Sequence, residues 1–206
     1  MPCNKPSQEF LETAFVRLIG AIYVSRAALK LKHFLEDLEL ELGAFKLSKC
    51  LDLGSSTGGF AQVLLGLGAK EVTCIDVGSN QMHESLRDRV ILHENTDLRD
   101  YENTDYFDLL TADLSFISLG LLLPKIASFN AALYILLFKP SFELAPSIKR
   151  NKKGVIQDEK ALQKALINFE QSAKAQGFCT VFKALSKIRG KEGNFEYFFA
   201  FKREQT

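Results

Sequence analysis

Acidic and basic residues stand at or just beyond the ends of apolar segments at five points of the chain. Asp52, Asp76, Asp97 and Asp113 follow short apolar runs, and Lys139 ends the most continuously apolar run. Such runs, alternating with helical segments, are typical of parallel strands in an α/β sheet. Ligands bind beyond the carboxyl ends of these strands, so one crevice can collect all five side chains. We therefore predict a polar ligand site built from carboxylates and an ammonium group.

A glycine-rich turn lies inside residues 49–76, which have the pattern strand, turn, helix, strand. The turn consists of Gly54, Ser55, Ser56, Thr57, Gly58, Gly59 and Phe60. In a βαβ unit, such a turn brings backbone N–H groups and a helix N-terminus close to a ligand. Asp76, which closes the second strand, is placed to hold a pair of ribose hydroxyls.

The ligand of this turn is not expected to be a dinucleotide. Ser56 occupies the position of the second glycine of the dinucleotide pattern G-x-G-x-x-G, and Asp52 would repel a pyrophosphate. No Lys-Ser/Thr pair follows Gly58 and Gly59, which excludes a Walker-type phosphate loop. A carboxylate at Asp52 suits a ligand with an ammonium group, such as S-adenosylmethionine. The alternative is a purely structural turn.

The turn and four further motifs resemble one known family. Residues 52–60 are similar to the donor loop of the FtsJ-type RNA ribose methyltransferases, and the subgroup is the TlyA-like, or haemolysin A, family. The further motifs occupy residues 23–31, 113–119, 138–143 and 193–196, in the family's order. The resemblance implies a Rossmann-like S-adenosylmethionine-dependent methyltransferase fold, with an open, mostly parallel seven-stranded sheet covered by helices on both faces.

The resemblance also implies four catalytic residues. The family's Lys-Asp-Lys-Glu tetrad corresponds to Lys30, Asp113, Lys139 and Glu196. A ribose 2′-hydroxyl is a poor nucleophile, so its proton must be removed or polarised while oxygen, methyl carbon and sulfur are held in line. We assign this task to Lys139, with Asp113 orienting it and with Lys30 and Glu196 fixing the ribose. The alternative is an ordinary network of ion pairs.

Two other methylation chemistries fit the sequence less well. Enzymes that methylate exocyclic base amines resemble one another in an Asp/Asn-Pro-Pro-aromatic segment, whereas Asp113 is followed by Leu114, Ser115 and Phe116. Carbon methylation of pyrimidines usually needs a cysteine nucleophile near this edge, and the chain has no cysteine between Cys74 and Cys179. Of the three methylation chemistries, the sequence therefore favours methylation of oxygen over methylation of nitrogen or carbon.

Two sets of binding residues complete the predicted site. The donor is expected to contact Asp52, Gly54, Ser55, Ser56, Thr57, Gly58, Gly59, Phe60, Asp76, Val77, Asp97, Leu98 and Asp113, with Asp97 accepting from the adenine amine. The RNA is expected to contact Lys149, Arg150, Lys152, Lys153, Arg189 and Lys191, although such clusters are as often solvated loops. Only RNA offers a 2′-hydroxyl, so the expected partner is RNA and not DNA. The resemblance indicates cytidine in 16S or 23S ribosomal RNA, free or in ribosomal subunits.

Composition agrees with a protein that acts inside the cell. The 206 residues carry a net charge of +1, so an RNA-binding surface must be a local patch. The four cysteines form no C-x-x-C pair, and the three histidines are dispersed. We therefore expect a reducing compartment, no disulfide framework and no metal site. No apolar segment approaches the length of a membrane span, and the N-terminus lacks a signal-peptide pattern. The predicted location is the cytoplasm, with no membrane partner.

The predicted elements divide the chain into residues 1–22 and a methyltransferase domain, residues 23–206. The first segment could be the remnant of a linker or of the S4-type RNA-binding module that such proteins commonly carry. A helix over 25–42 is predicted from Ser25 as N-cap, a leucine stripe and Gly43. Further helices are predicted at 80–88 and 158–175. Strands are predicted at 49–53, 71–75, 90–93, 106–111, 131–138, 178–184 and 195–201.

Two other functional classes compete with the methyltransferase. The haemolysin name raises a cytolytic, membrane-acting protein, for which the sequence offers no spanning segment and no strongly amphipathic basic helix. A non-catalytic RNA-binding factor in ribosome assembly could also keep the donor fold.

Overall fold

Seven strands form a single sheet in the computed structural model, which describes residues 22–204. In chain order they are β1 (Lys49–Leu53), β2 (Glu71–Ile75), β3 (Ile91–His93), β4 (Tyr106–Ala112), β5 (Asn130–Phe138), β6 (Phe178–Leu185) and β7 (Tyr197–Arg203). Their spatial order is β3-β2-β1-β4-β5-β7-β6. The first five strands run parallel, and β7 runs antiparallel to both β5 and β6. The predicted fold class is confirmed.

Helices cover both faces of this sheet. They are α1 (Arg26–Leu42), α2 (Gly59–Gly66), α3 (Glu84–Arg87), α4 (Leu119–Ser128), α5 (Pro140–Glu143) and α6 (Glu159–Ala175). Successive residues of a strand point to opposite faces. Accordingly, Tyr134, Leu136 and Phe138 of β5 pack in the core with α4 and α6, whereas Leu133, Ile135 and Leu137 pack in the core with α1 and α2.

The strand order reverses between β1 and β4, and this determines where a ligand can enter. β1 pairs with β2 on one side and with β4 on the other, so the connections after β1 and β4 leave toward opposite faces. Such a switch point opens a crevice at the carboxyl ends of the two strands. The glycine turn follows β1 and Asp113 follows β4. Both therefore border the same crevice.

The strongest sequence patterns gave correct elements. α1 follows Ser25 and ends at Leu42, where Gly43 adopts a φ of +77°. Asp158 caps α6, because its carboxylate accepts a hydrogen bond of 2.9 Å from the N–H of Ala161. The side chain of Ser25, in contrast, makes no capping hydrogen bond.

Three predicted elements need correction. The helix predicted at 80–88 is only α3, because Asn80 has a φ of +54° and the ring of His83 caps the helix by accepting from the N–H of Ser85. The last strand begins at Tyr197, two residues later than predicted, and Phe195 lies in the preceding loop. The short α5 lies between residues 138 and 158, where no helix or strand was predicted. The predicted N-terminal segment lies outside the described residues except for Ile22.

Candidate active site

The glycine turn, residues 54–60, adopts backbone conformations that side chains would obstruct. Gly54 has a φ of +76°, and a Cβ atom there would lie 2.9 Å from the carbonyl oxygen of Asp113. Gly58 has a φ of +88°, and its Cβ would lie 2.5 Å from the sulfur of Met82. Ser56 also has a positive φ, +46°. The turn therefore passes close to the segment after β4, and glycine is required at both positions.

Asp76 holds the turn in place. One carboxylate oxygen accepts from the N–H of Ser56 at 2.7 Å, and the other accepts from the N–H of Gly78 at 2.7 Å. A cavity of about 490 Å³ lies beside it, and predicted donor contacts Asp76, Val77, Asp97 and Leu98 all line this cavity. The carboxylate of Asp97 is already paired with the guanidinium of Arg99, whose hydrogen bonds lower the pKa of Asp97 to about 2.

Asp52, for which a direct contact with the donor was predicted, is buried at the end of β1 and lines neither of the two cavities described in this section. Its side chain is fully buried, and Oδ1 accepts a hydrogen bond of 2.8 Å from the hydroxyl of Thr111. Among the described residues, Oδ2 has no hydrogen-bond partner. Burial is the main reason that the pKa of Asp52 rises to about 7. The carboxyl is buried because β1 carries alternate side chains into the two faces of the core.

The lysine cluster, which we define as Lys30, Asp113, Lys139 and Glu196, comes together at the same crevice. Lys30 Nζ lies 2.6 Å from Glu196 Oε2, and Lys139 Nζ lies 2.5 Å from Asp113 Oδ1. All four side chains are at most 16% exposed. Because buried charges are costly unless they are paired, the two ion pairs let both ammonium groups stay in a largely dry site.

Four separate elements deliver these side chains. Lys30 projects from the first turns of α1, and Asp113 follows β4. Lys139 follows β5 directly before Pro140, and Glu196 precedes β7. A Cβ atom at Gly190 would lie 2.5 Å from Glu196 Oε1, so the absence of a side chain at Gly190 leaves room for this carboxylate.

One cavity of about 550 Å³ connects the glycine turn with the lysine cluster. It is lined by predicted donor-binding residues and by all four members of the lysine cluster. The lining residues that belong to the glycine turn are Gly54, Ser55, Ser56, Thr57, Gly59 and Phe60. Gly54, Ser56, Asp113, Ser115 and Phe116 also line the 490 Å³ cavity, so the two cavities adjoin.

Residues 115–119 and α5 contribute contacts that the sequence reasoning missed. Ser115 accepts a hydrogen bond of 2.7 Å from Lys139 Nζ. Glu143 of α5 accepts bonds of 2.6 Å from the hydroxyl of Ser118 and from the N–H of Leu119. Glu143 thereby ties the segment after Lys139 to the segment after Asp113. The periodicity of the sequence contains no sign of this link.

Phe116 is the other residue that was missed. Its side chain is 92% exposed, its φ is +65°, and its ring centroid lies 5.5 Å from that of Phe142. A bulky residue with a positive φ is strained, and such strain is found preferentially at functional sites. The residue belongs to the motif at 113–119, but only the structure reveals that the ring is exposed at the mouth of the cavity.

The predicted RNA-binding residues fall into two groups. The side chains of Lys149, Lys152, Lys153, Arg189 and Lys191 are exposed. Arg150 is instead directed inward, where its guanidinium donates to the carbonyl oxygens of Ser141 and Leu144. Arg150 therefore anchors α5 while it also lines the 550 Å³ cavity, and its contact with RNA stays a prediction.

The exposed lysines at 149–153 belong to an ordered hairpin. Its strands meet in a bridge between Arg150 and Ile156, and the side-chain oxygen of Asn151 accepts from the N–H groups of Lys153 and Val155. Asn194 ties the hairpin to the loop that carries Glu196, because its side chain donates to Gly154 O and accepts from Ile156 N. The basic hairpin is therefore fixed beside the lysine cluster.

A model of the FtsJ-like methyltransferase family matches residues 23–203 of this chain. The chain belongs to the FtsJ-like methyltransferase family. The match covers every strand and helix described above. The boundary of the domain at residue 23 stays a prediction, since residues 1–21 lie outside the described part of the chain.

Similar proteins refine this membership of the FtsJ-like family. The 23S rRNA (cytidine-2′-O)-methyltransferase TlyA of Campylobacter jejuni is 52% identical over 88% of this chain and 72% of its own length. The 16S/23S rRNA (cytidine-2′-O)-methyltransferase TlyA of Mycobacterium tuberculosis is 35% identical over 96% of this chain and 76% of its own. A Streptococcus thermophilus structure described as a hemolysin superposes with a TM-score of 0.81 at 33% identity, covering 90% of this chain and 68% of its own. The TlyA-like subgroup was therefore identified correctly.

The sequence was expected to lack a membrane-spanning segment and a metal site. Between residues 22 and 204, no helix combines the length and apolar character needed to cross a membrane. Within the same range, no group of three or more His, Cys, Asp or Glu side chains could hold a metal ion.

Proposed function

We propose that this protein is an S-adenosylmethionine-dependent methyltransferase that modifies the 2′-hydroxyl of cytidine in 16S or 23S ribosomal RNA. The observation that carries the proposal is the single cavity that joins a glycine turn to two buried lysine–carboxylate pairs. The turn suits a nucleoside ligand, and the lysines suit the activation of a hydroxyl. The similarity to TlyA proteins of two organisms supports the choice of substrate.

The chemistry of the residues around the glycine turn fits S-adenosylmethionine. Gly54 and Gly58 keep side chains out of the turn. Asp76 lies at the boundary of the 490 Å³ cavity, where its carboxylate could accept from ribose hydroxyls. When bound, the donor supplies an electrophilic methyl group on a sulfonium. Leu98 and Leu122 offer apolar surface to a base in the same cavity.

The lysine cluster would activate the acceptor. Lys139, as the neutral amine, would take the proton of the ribose 2′-hydroxyl, so that the ribose oxygen could attack the methyl group that a bound donor would supply. Asp113 orients Lys139 at 2.5 Å. Lys30 and Glu196, paired at 2.6 Å, hold the ribose and balance the charge. Alignment of the three reacting atoms supplies much of the rate enhancement.

Exposed aromatic and basic groups at the mouth support an RNA acceptor. The face of Phe116 is available for stacking against a base, an interaction that single-stranded or extruded nucleotides commonly make with proteins. Lys149, Lys152 and Lys153 on the basic hairpin and Lys191 at the cavity are placed to contact phosphates. Phosphate contacts make binding dependent on salt. A ribosomal substrate would place the activity in the cytoplasm.

Mass mapping of 2′-O-methyl groups tests the proposal. Purified 30S and 50S subunits and naked ribosomal RNA are incubated with the protein and S-adenosylmethionine, and Lys139→Ala serves as the inactive control. We expect one methyl group at a defined cytidine in the presence of the wild-type protein. Binding of RNA without methylation would favour the assembly-factor hypothesis, and lysis of erythrocytes without methylation would favour the cytolytic one.

A further inference from the structure

Two oxygens lie against the amine of Lys139, and both belong to the segment that follows β4. Ser115 Oγ accepts a hydrogen bond of 2.7 Å from Nζ, whereas Asp113 Oδ1 forms an ion pair with Nζ at 2.5 Å without accepting a hydrogen bond. Alternate side chains of an extended segment point to the same side. Leu114, between them, packs against the apolar core instead. The segment therefore presents a carboxylate and a hydroxyl to the same amine.

These two contacts restrict the orientation of the amine about its Cε–Nζ bond. A lysine amine has four tetrahedral positions, of which one is the bond to Cε. To remove a proton, the amine must be neutral, with two N–H groups and one lone pair. The hydrogen bond to Ser115 holds one N–H group, and the negative charge of Asp113 beside Nζ favours an N–H group over a lone pair on that side, which leaves the fourth position for the lone pair. Lys139 lines the 550 Å³ cavity, so this fourth position is open to a ligand there.

Lys30 provides the contrast within the same cavity. Among residues 22–204, its ammonium donates to a single acceptor, Glu196 Oε2 at 2.6 Å. Its other two N–H groups are thus left for oxygens of a ligand, and rotation about the Cε–Nζ bond is not restricted by a second partner. Lys30 is therefore suited to binding oxygens of a ligand, whereas Lys139 is suited to accepting a proton from a ligand on one side of its amine.

We infer that Ser115 is a positioning residue for the methyl transfer, and that it aims the lone pair of Lys139 at the ribose 2′-hydroxyl. This inference rests on the proposed function. During transfer the hydroxyl proton moves to Lys139 Nζ, which becomes an ammonium with three N–H groups. One of them stays with Ser115, another is directed to the side of the Asp113 carboxylate, and the third stays with the oxygen that has received the methyl group. Ser115 itself exchanges no proton and forms no covalent bond.

The kinetic test compares Ser115→Ala with Ser115→Thr, which keeps a hydroxyl at the same position. In Ser115→Ala, we expect kcat to fall about tenfold or more, because misalignment of a reacting group is costly. The KM for RNA and the dissociation constant of the donor, measured by calorimetry, are expected to stay within about twofold of wild type, while Ser115→Thr recovers most of kcat. Ser172→Ala, on α6 away from the cavity, is the matched control. A wild-type kcat in Ser115→Ala, or equal losses in both variants, would overturn the inference.

A second measurement does not depend on activity. Nitrogen-15 NMR of lysine side chains reports the exchange of ammonium protons with water, and the Lys139 signal is identified by its loss in Lys139→Arg. We expect slow exchange in the wild type and several-fold faster exchange in Ser115→Ala, with the Lys30 signal unchanged. Unchanged exchange at Lys139 would contradict the inference. Absence of methylation by a wild-type protein that shows the expected exchange would instead contradict the proposed function alone.

Discussion

The glycine turn and the lysine cluster border the same cavity but are built in different ways. The turn is made mainly of backbone and is local in sequence, since residues 54–60 and Asp76 belong to one βαβ unit. The lysine cluster is made of side chains from positions 30, 113, 139 and 196, which meet only when the whole sheet is formed. We therefore expect substitutions that add side-chain atoms to disturb the glycine turn, and substitutions that remove a charged group to disturb the lysine cluster.

The largest expected effect comes from Lys139→Ala. This change removes the proposed base and leaves the glycine turn intact, so we expect kcat to fall by roughly three orders of magnitude. The affinity for the donor, measured by calorimetry, should change less than about threefold. Lys125→Ala, which removes a lysine that pairs with the exposed Glu102 and lines neither cavity, is the control. A loss of donor affinity as large as the loss of rate would erase the distinction between the two regions.

Glu196→Ala tests the stability of the lysine cluster. It leaves Lys30 buried without its carboxylate, and breaking such a pair typically costs about 3 kcal/mol of unfolding free energy. Glu170→Ala, which breaks a more exposed pair with Lys183, should cost less than about 1 kcal/mol. Urea unfolding of both variants gives the comparison. Equal costs would indicate that the pair of Lys30 and Glu196 is as well solvated as one on the surface.

Gly54→Ala tests the glycine turn by adding one methyl group. Because Gly54 has a φ of +76° and its Cβ would lie 2.9 Å from a carbonyl oxygen, the turn must shift. We expect the dissociation constant of the donor to rise about tenfold. Gly66→Ala, inside α2 where a Cβ meets no atom within 4 Å, should leave the affinity unchanged. Donor affinity as in the wild type for Gly54→Ala would mean that the donor does not depend on this turn.

The smallest expected effect concerns the dependence of stability on pH. The pKa of Asp52 is about 7 in the folded protein, mainly because of burial, and about 4 in an unfolded chain. As pH rises from 4 to 7, the unfolded chain releases this proton while the folded protein keeps it, so the contribution of Asp52 to stability declines. Asp52→Asn should therefore be more stable, relative to wild type, at pH 8 than at pH 5, by an amount on the order of 1 kcal/mol. Urea unfolding at both pH values measures this, and a constant difference would place the Asp52 carboxylate in contact with water.

Residue patterns were sufficient to predict the strands and helices that depend on neighbouring residues in the sequence. The strands β1 and β2 follow from short apolar runs, α1 from its leucine stripe and Gly43, and α6 from Asp158 as its cap. The glycine turn was also readable, because glycine is required by the backbone of the turn itself. The helix predicted at 80–88 was wrong because the left-handed Asn80 and the cap at His83 have no periodic signature.

Several features of the site were decided only by the tertiary structure. That the guanidinium of Arg150 donates to carbonyl oxygens at α5, and that the carboxyl of Asp52 is buried, depends on tertiary packing. Ser115 and Phe116 stand side by side in the chain, yet one contacts Lys139 and the other is exposed at the cavity mouth. The sequence by itself determined the order of strands and helices and which charged residues follow the strands, because these depend on local apolar pattern and turn chemistry. The pairing of those charges was decided by the packing of the whole sheet, because residues that are remote in sequence meet only where folding brings the strand ends together.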